Sequence, residues 1–105
     1  MDDPVVVYVT ASSEEEARCI GKKLVEEGFA ACANIVPNIR SIYIWKGELC
    51  DDGEVLLIIK SRKIHIDKIV KRVKDLHSYQ VPEVIALPII QGSEDYLSWM
   101  EESLS

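Results

Sequence analysis

The absences in this chain narrow its class before any motif does. No apolar run approaches the roughly 20 residues that a membrane helix needs. Met1-Asp2-Asp3-Pro4 is acidic and carries no basic region of the kind that opens a signal peptide. A cytoplasmic chain with no membrane partner is the expectation. Positive charge is scarce, with 12 Lys and Arg against 18 Asp and Glu and a formal net charge of −6. Nucleic acid is therefore not an expected partner, because phosphate binding needs a concentrated positive surface. Lys60, Arg62, Lys63, Lys68, Lys71, Arg72 and Lys74 do cluster, and they read as the solvated face of one helix. Three cysteines, Cys19, Cys32 and Cys50, are widely spaced and form no Cys-x-x-Cys. That pattern fits reduced thiols, not a disulfide framework or a structural zinc site. No Gly-rich phosphate loop is present, so a nucleotide is not the expected ligand. With no linker and no low-complexity stretch, residues 1–105 read as a single domain.

The residues present alternate between strand and helix patterns. Pro4 to Thr10 is a β-branched run and predicts a strand buried on both faces. Ser12 or Ser13 then caps a helix, with Glu15 or Glu16 completing a capping box. Ala17, Ile20, Gly21, Leu24 and Val25 form its buried stripe, Cys19 lies opposite, and Gly28 ends it. A long second strand follows from about Ala30 to Leu49. Cys50-Asp51-Asp52-Gly53 reads as its hairpin turn, and Glu54 to Lys60 as the returning third strand. A second helix spans about Ile64 to Leu76 with Ile66, Ile69, Val70, Val73 and Leu76 on one face. Glu83 to Ile90 is the fourth strand. Ser93 caps a last helix, whose Tyr96, Leu97, Trp99, Met100 and Leu104 pack inward.

This β-α-β-β-α-β order with an extra C-terminal helix predicts an α+β, ferredoxin-like sandwich, its first and third strands central and its second and fourth at the edges. Proline tests the arrangement, because it cannot donate to a ladder and belongs at edges or bulges. Pro37 and Pro88 fall in the second and fourth strands. Ile42-Tyr43-Ile44-Trp45 puts large apolar side chains on both faces of an edge strand that outruns its neighbours. Such an edge invites pairing with another copy, so an oligomer is expected.

His77-Ser78-Tyr79-Gln80-Val81-Pro82-Glu83 places an imidazole, a phenol and a carboxylate on a loop between a helix and an apolar strand. Polar groups held on such loops are more often functional than the same groups in a core. This run, together with Ala30-Ala31-Cys32-Ala33-Asn34-Ile35-Val36-Pro37, Ser41-Ile42-Tyr43-Ile44-Trp45-Lys46-Gly47-Glu48-Leu49 and Tyr96-Leu97-Ser98-Trp99, resembles the CutA family of divalent-cation tolerance proteins. The resemblance covers essentially the whole chain. It implies a homotrimer of ferredoxin-like subunits whose strand edges pair between neighbours, similar in shape to PII signalling proteins. It also implies a role in the response to metal ions such as copper, and not an enzyme.

Copper favours imidazole and thiolate. Family members credited with a copper site have a cysteine ending the first strand and a histidine pair before Tyr-x-x-Pro-Glu, where this chain has Val9, Leu76 and His77. His77 and Cys32 are the candidate metal ligands, and weak surface binding of copper or another divalent cation is expected, with no cofactor required. Tyr43, Trp45, Tyr79, Glu83 and Trp99 are candidates for an intersubunit contact or cleft, which a PII-like trimer would use for a small ligand. A third reading pairs Cys32 with His77 as a nucleophile and base oriented by Glu83, but no cysteine-hydrolase signature surrounds them.

Overall fold

The computed structural model describes residues 2–105. Strand β1 (Pro4–Ala11) leads to helix α1 (Glu14–Glu26), then to the paired strands β2 (Cys32–Trp45) and β3 (Glu48–Arg62). A short 3-10 turn, Lys63–His65, enters helix α2 (Ile66–Leu76), followed by strand β4 (Val84–Pro88) and helix α3 (Glu94–Ser103). All strand pairs are antiparallel, in the order β2-β3-β1-β4. The chain is thus α+β, with β1 and β3 central and the strands that carry Pro37 and Pro88 at the edges.

Local chemistry sets the helix ends. Ser13 Oγ accepts the Glu16 N–H at 3.1 Å, and Glu16 Oε1 accepts from Ser12 N at 3.0 Å and Ser12 Oγ at 3.1 Å. The capping box is therefore present, with its return bond one residue earlier than the usual reciprocal pair. Ala17, Ile20, Gly21 and Leu24 are buried from α1, whereas Val25 is exposed. Gly28, with φ +79°, turns the chain out of that helix. Helix α2 starts at Ile66, not Ile64, and Ile64 projects into solvent.

One core lies between the helices and one sheet face. Val5, Val7 and Val9 of β1 interleave with Val55, Leu57 and Ile59 of β3, and α1 and α2 cover them with Ile20, Leu24, Ile69 and Val73. Burial along β1 alternates, so the expectation of a strand buried on both faces fails within one protomer. The other face carries Val6, Tyr8, Leu56 and Ile58, in register with Leu87 and Ile85 of β4. Helix α3 lies at one corner of that face, where Tyr96 meets Cys32 and Met100 is fully buried. Tyr96 and Trp99 stay more than 40% exposed, against the inward packing that their spacing predicts.

The hairpin turn is the largest correction. It falls at Lys46-Gly47, where both residues have positive φ, 51° and 81°. Positive φ at both central positions of a two-residue loop matches the right-handed twist of the strands it joins. Asp52-Gly53, read as the turn, instead continues the ladder opposite Ser41 and Arg40. The Arg40 Nε–Asp51 ion pair at 2.9 Å and the Tyr43 hydroxyl donating to Asp52 at 2.6 Å tie the acidic stretch to β2. The one register break lies between Val36 and Ile39, where Pro37 and Asn38, the latter at φ 62°, form a bulge. The result is a β2-β3 ribbon running well past β1, and a molecule of 44 × 25 × 22 Å.

Candidate functional site

Side chains on one strand face share the parity of their positions. Ser41, Tyr43 and Trp45 of β2 pair with Asp52, Cys50 and Glu48, and Ile39 with Glu54. Glu54 shares parity with Leu56 and Ile58, so this part of the ribbon extends the sheet face turned away from α1 and α2. The segment after α2 supplies the opposite wall. His77 leaves the helix with extended geometry, φ −86° and ψ 144°, and Pro82 keeps Val81 from returning to helix. Tyr79, Val81 and Glu83, at alternate positions, all face the ribbon. Together with Thr10, Ser41, Ile42, Tyr43, Trp45 and Glu54 they line a concavity of about 400 Å³.

His77 holds that wall in place. Its side chain is fully buried. Nε2 lies 2.6 Å from the Thr10 carbonyl and therefore donates, while Nδ1 accepts the Tyr79 N–H at 3.0 Å. This pattern needs the neutral tautomer with the proton on Nε2. Glu16 reaches the same loop, accepting the Ser78 N–H at 2.9 Å. Desolvation raises the Glu16 pKa, but bonds from Ser12 and Ser78 outweigh it and hold the carboxyl below its ordinary value. The loop is thus pinned to both β1 and the start of α1.

Tyr79 Oη donates to Glu54 Oε2 at 2.7 Å, and Glu54 is 7% exposed. Burial first, and then the bond to Glu54, push the Tyr79 phenol well above its usual value. The bond to Asp52 lifts Tyr43 to about 12. Both phenols therefore stay protonated and act as donors at neutral pH. Glu83, at the open rim, is raised by partial desolvation and by repulsion from Glu54. No Lys, Arg or His lines the concavity, so its charged lining is acidic.

Tyr43, Trp45, Tyr79 and Glu83 thus meet in one place. Trp99 lies elsewhere, on α3, its ring 5.4 Å from Tyr96. Cys32 is also distant. It is paired with Lys60, which faces Val6, whereas His77 binds the Thr10 carbonyl. Val6 and Thr10 are four strand positions apart, about 13 Å, so Cys32 and His77 share neither a metal ion nor a proton. Asn34 Oδ1 accepts from the Cys32 thiol at 3.8 Å and from Lys60 Nζ. Among the described residues, no three His, Cys, Asp or Glu side chains are grouped to hold a metal ion. Sequence reasoning missed Glu54, Thr10, Ser41 and Val81 as cavity residues. The signal for Glu54 was its parity, since a carboxylate in step with Leu56 and Ile58 must lie on the same face.

Comparison with known proteins follows the same lines. A family model described as CutA1 divalent ion tolerance protein matches residues 5–103. The divalent-cation tolerance protein CutA of Thermus thermophilus is 52% identical over 98 residues, covering 93% of this chain and 95% of that protein. Protein CutA of Homo sapiens is 42% identical over 95 residues, and there the chain spans 53% of the relative's length. The crystal structure of CutA1 from Oryza sativa superposes with a TM-score of 0.96 at 44% identity, covering 99% of this chain and 95% of that one. A CutA structure from Archaeoglobus fulgidus, titled a periplasmic divalent cation tolerance protein, gives 0.94 at 37% identity, covering 97% and 99%. With sequence, element order and superposition in agreement along almost its whole length, this chain belongs to the CutA1 divalent ion tolerance protein family.

Proposed function

We propose that the chain acts in divalent-cation tolerance as a homotrimer of ferredoxin-like protomers in the cytoplasm, with its tyrosine-lined concavity close to the contact between subunits. The observation that carries this reading is the uncovered apolar surface. Ile42 and Ile44 are 68% and 71% exposed on the ribbon, and Ile85 and Leu87 are 52% and 42% exposed on β4. Surfaces of this extent mark interfaces, and both sheet edges offer unpaired backbone groups to a second copy. The family's description as divalent ion tolerance proteins supplies the biological direction. Divalent ions on this reading bind weakly, through surface carboxylates or through Cys32 or His77 singly, because the two candidate ligands stand apart. Engaging His77 requires breaking its bonds to Thr10 and Tyr79. Light scattering coupled to gel filtration tests the assembly: a mass near three times 11.8 kDa is expected.

A second reading, a trimer that responds to a small organic ligand, draws on the shape of the concavity. At about 400 Å³ it falls within the usual range for small-molecule sites.

A further inference from the structure

The concavity between the ribbon and the His77–Glu83 loop has a chemical bias that selects a class of ligand. Its charged lining is the pair Glu54 and Glu83, and no cationic side chain lines it. Three aromatic rings, Tyr43, Trp45 and Tyr79, and the aliphatic side chain of Val81 supply most of the remaining wall. Ring faces attract ammonium groups electrostatically, and Trp45 already does so in this chain, with Lys46 Nζ 5.7 Å from its ring centroid. Glu54 keeps one oxygen beyond its bond from Tyr79, and the repulsion it exerts on Glu83 is relieved by a positive charge between them.

A hydrated metal ion uses oxygen donors and gains nothing from Val81 or indole. A phosphate or carboxylate ligand meets two carboxylates and no cation. An aliphatic chain bearing ammonium groups matches both parts of the lining: methylenes against the apolar walls, and charge at the carboxylates and ring faces. We propose that this concavity is a binding site for an aliphatic diamine or a related organic polycation, which deepens the small-ligand reading above and rests on it.

Calorimetric titration with 1,5-diaminopentane at fixed ionic strength tests the proposal, with light scattering recorded on the same samples. Saturable binding is expected, weakened about tenfold or more in Glu83→Gln, where a charge-assisted hydrogen bond is lost. Glu83 is exposed and has no structural partner to lose, so this variant should fold; Val81→Asp, which adds charge but removes an apolar wall, should not tighten binding. The neutral analogue 1,5-pentanediol should not bind. Equal affinity in Glu83→Gln, no saturation at millimolar diamine, or displacement by Mg²⁺ at the concentrations at which the diamine binds would each overturn the site. A trimer that fails to bind rejects this inference and leaves the assembly intact, whereas a binding monomer rejects the assembly and leaves the site.

Discussion

His77 shows how one residue can look functional in sequence and act as a tether in the fold. Both ring nitrogens are occupied, one by a β1 carbonyl and the other by a loop amide, and the ring packs 4.6 Å from that of Tyr79. Replacing it with alanine leaves the Thr10 carbonyl and the Tyr79 amide without their partners and opens a buried space. The expected cost is about 2–4 kcal/mol, read as a lower urea midpoint. A variant as stable as the parent would show that the loop is held by other contacts. Glu16 makes the complementary prediction for pH. Its carboxyl is depressed in the folded state from 4.5, so its contribution is present above about that pH and is lost as pH falls through the lower folded value. Glu16→Gln should therefore cost about 1 kcal/mol at neutral pH, and the gap to the parent should close on acidification. A gap that is constant from pH 7 to pH 3 would assign the effect to side-chain shape, not charge. The loop's chemical character was legible from its residue types, but the bonds of His77 were not, because its partner carbonyl lies 67 positions away in sequence.

At the scale of elements, periodicity and caps located every helix and strand, and errors gathered where two local signals competed. Asp52-Gly53 and Lys46-Gly47 are both credible hairpin turns. The choice between them depends on register, and the register here is set by long-range pairing: Tyr43 reaches Asp52 and Arg40 reaches Asp51 across the ribbon. Turning at Asp52-Gly53 would have lost both contacts. Two glycines separate the conformational part of such an effect from the steric part. A Cβ at Gly47, where φ is +81°, meets nothing within 4 Å, whereas one at Gly28, where φ is +79°, would fall 1.8 Å from Ser105 Oγ. Gly47→Ala should cost about 1 kcal/mol, from backbone strain alone. Gly28→Ala should cost more, because it also displaces Ser105, whose N–H donates to the Gly28 carbonyl at 2.9 Å. Equal losses by chemical denaturation would mean that the Ser105 contact contributes nothing to stability. The α3 side chains were misread for a different reason. Tyr96 and Trp99 follow the helical period, but one corner of a sheet gives a helix room to bury Met100 and little else.

The whole molecule is incompletely covered, and its dimensions show it. The radius of gyration is 14.1 Å, against about 13 Å for a compact chain of this length, and the excess lies in the β2-β3 ribbon. That ribbon was anticipated from the both-faced apolar run at Ile42 to Trp45, whereas the bare sheet face, with Tyr8 and Ile58 half exposed, needed the register to be known. On the proposed trimer, copies of the same chain close these surfaces. Trp45 is 41% exposed, so assembly has about 100 Å² of its surface left to bury, worth about 2.5 kcal/mol per subunit. Ile42 and Ile44, which are more exposed, each add a similar amount. Ile58→Asp in the middle of the bare face and Trp45→Asp on the ribbon should therefore both lower the assembled mass at micromolar concentration. Each should also make the melting temperature depend on protein concentration, since association and folding are then linked by mass action. If Ile58→Asp dissociates the assembly and Trp45→Asp does not, the sheet faces pack together and the ribbon is free. The reverse outcome places the contact on the ribbon. A parent protein that elutes with the mass of a single subunit at micromolar concentration would leave these apolar side chains in water and end the trimer account.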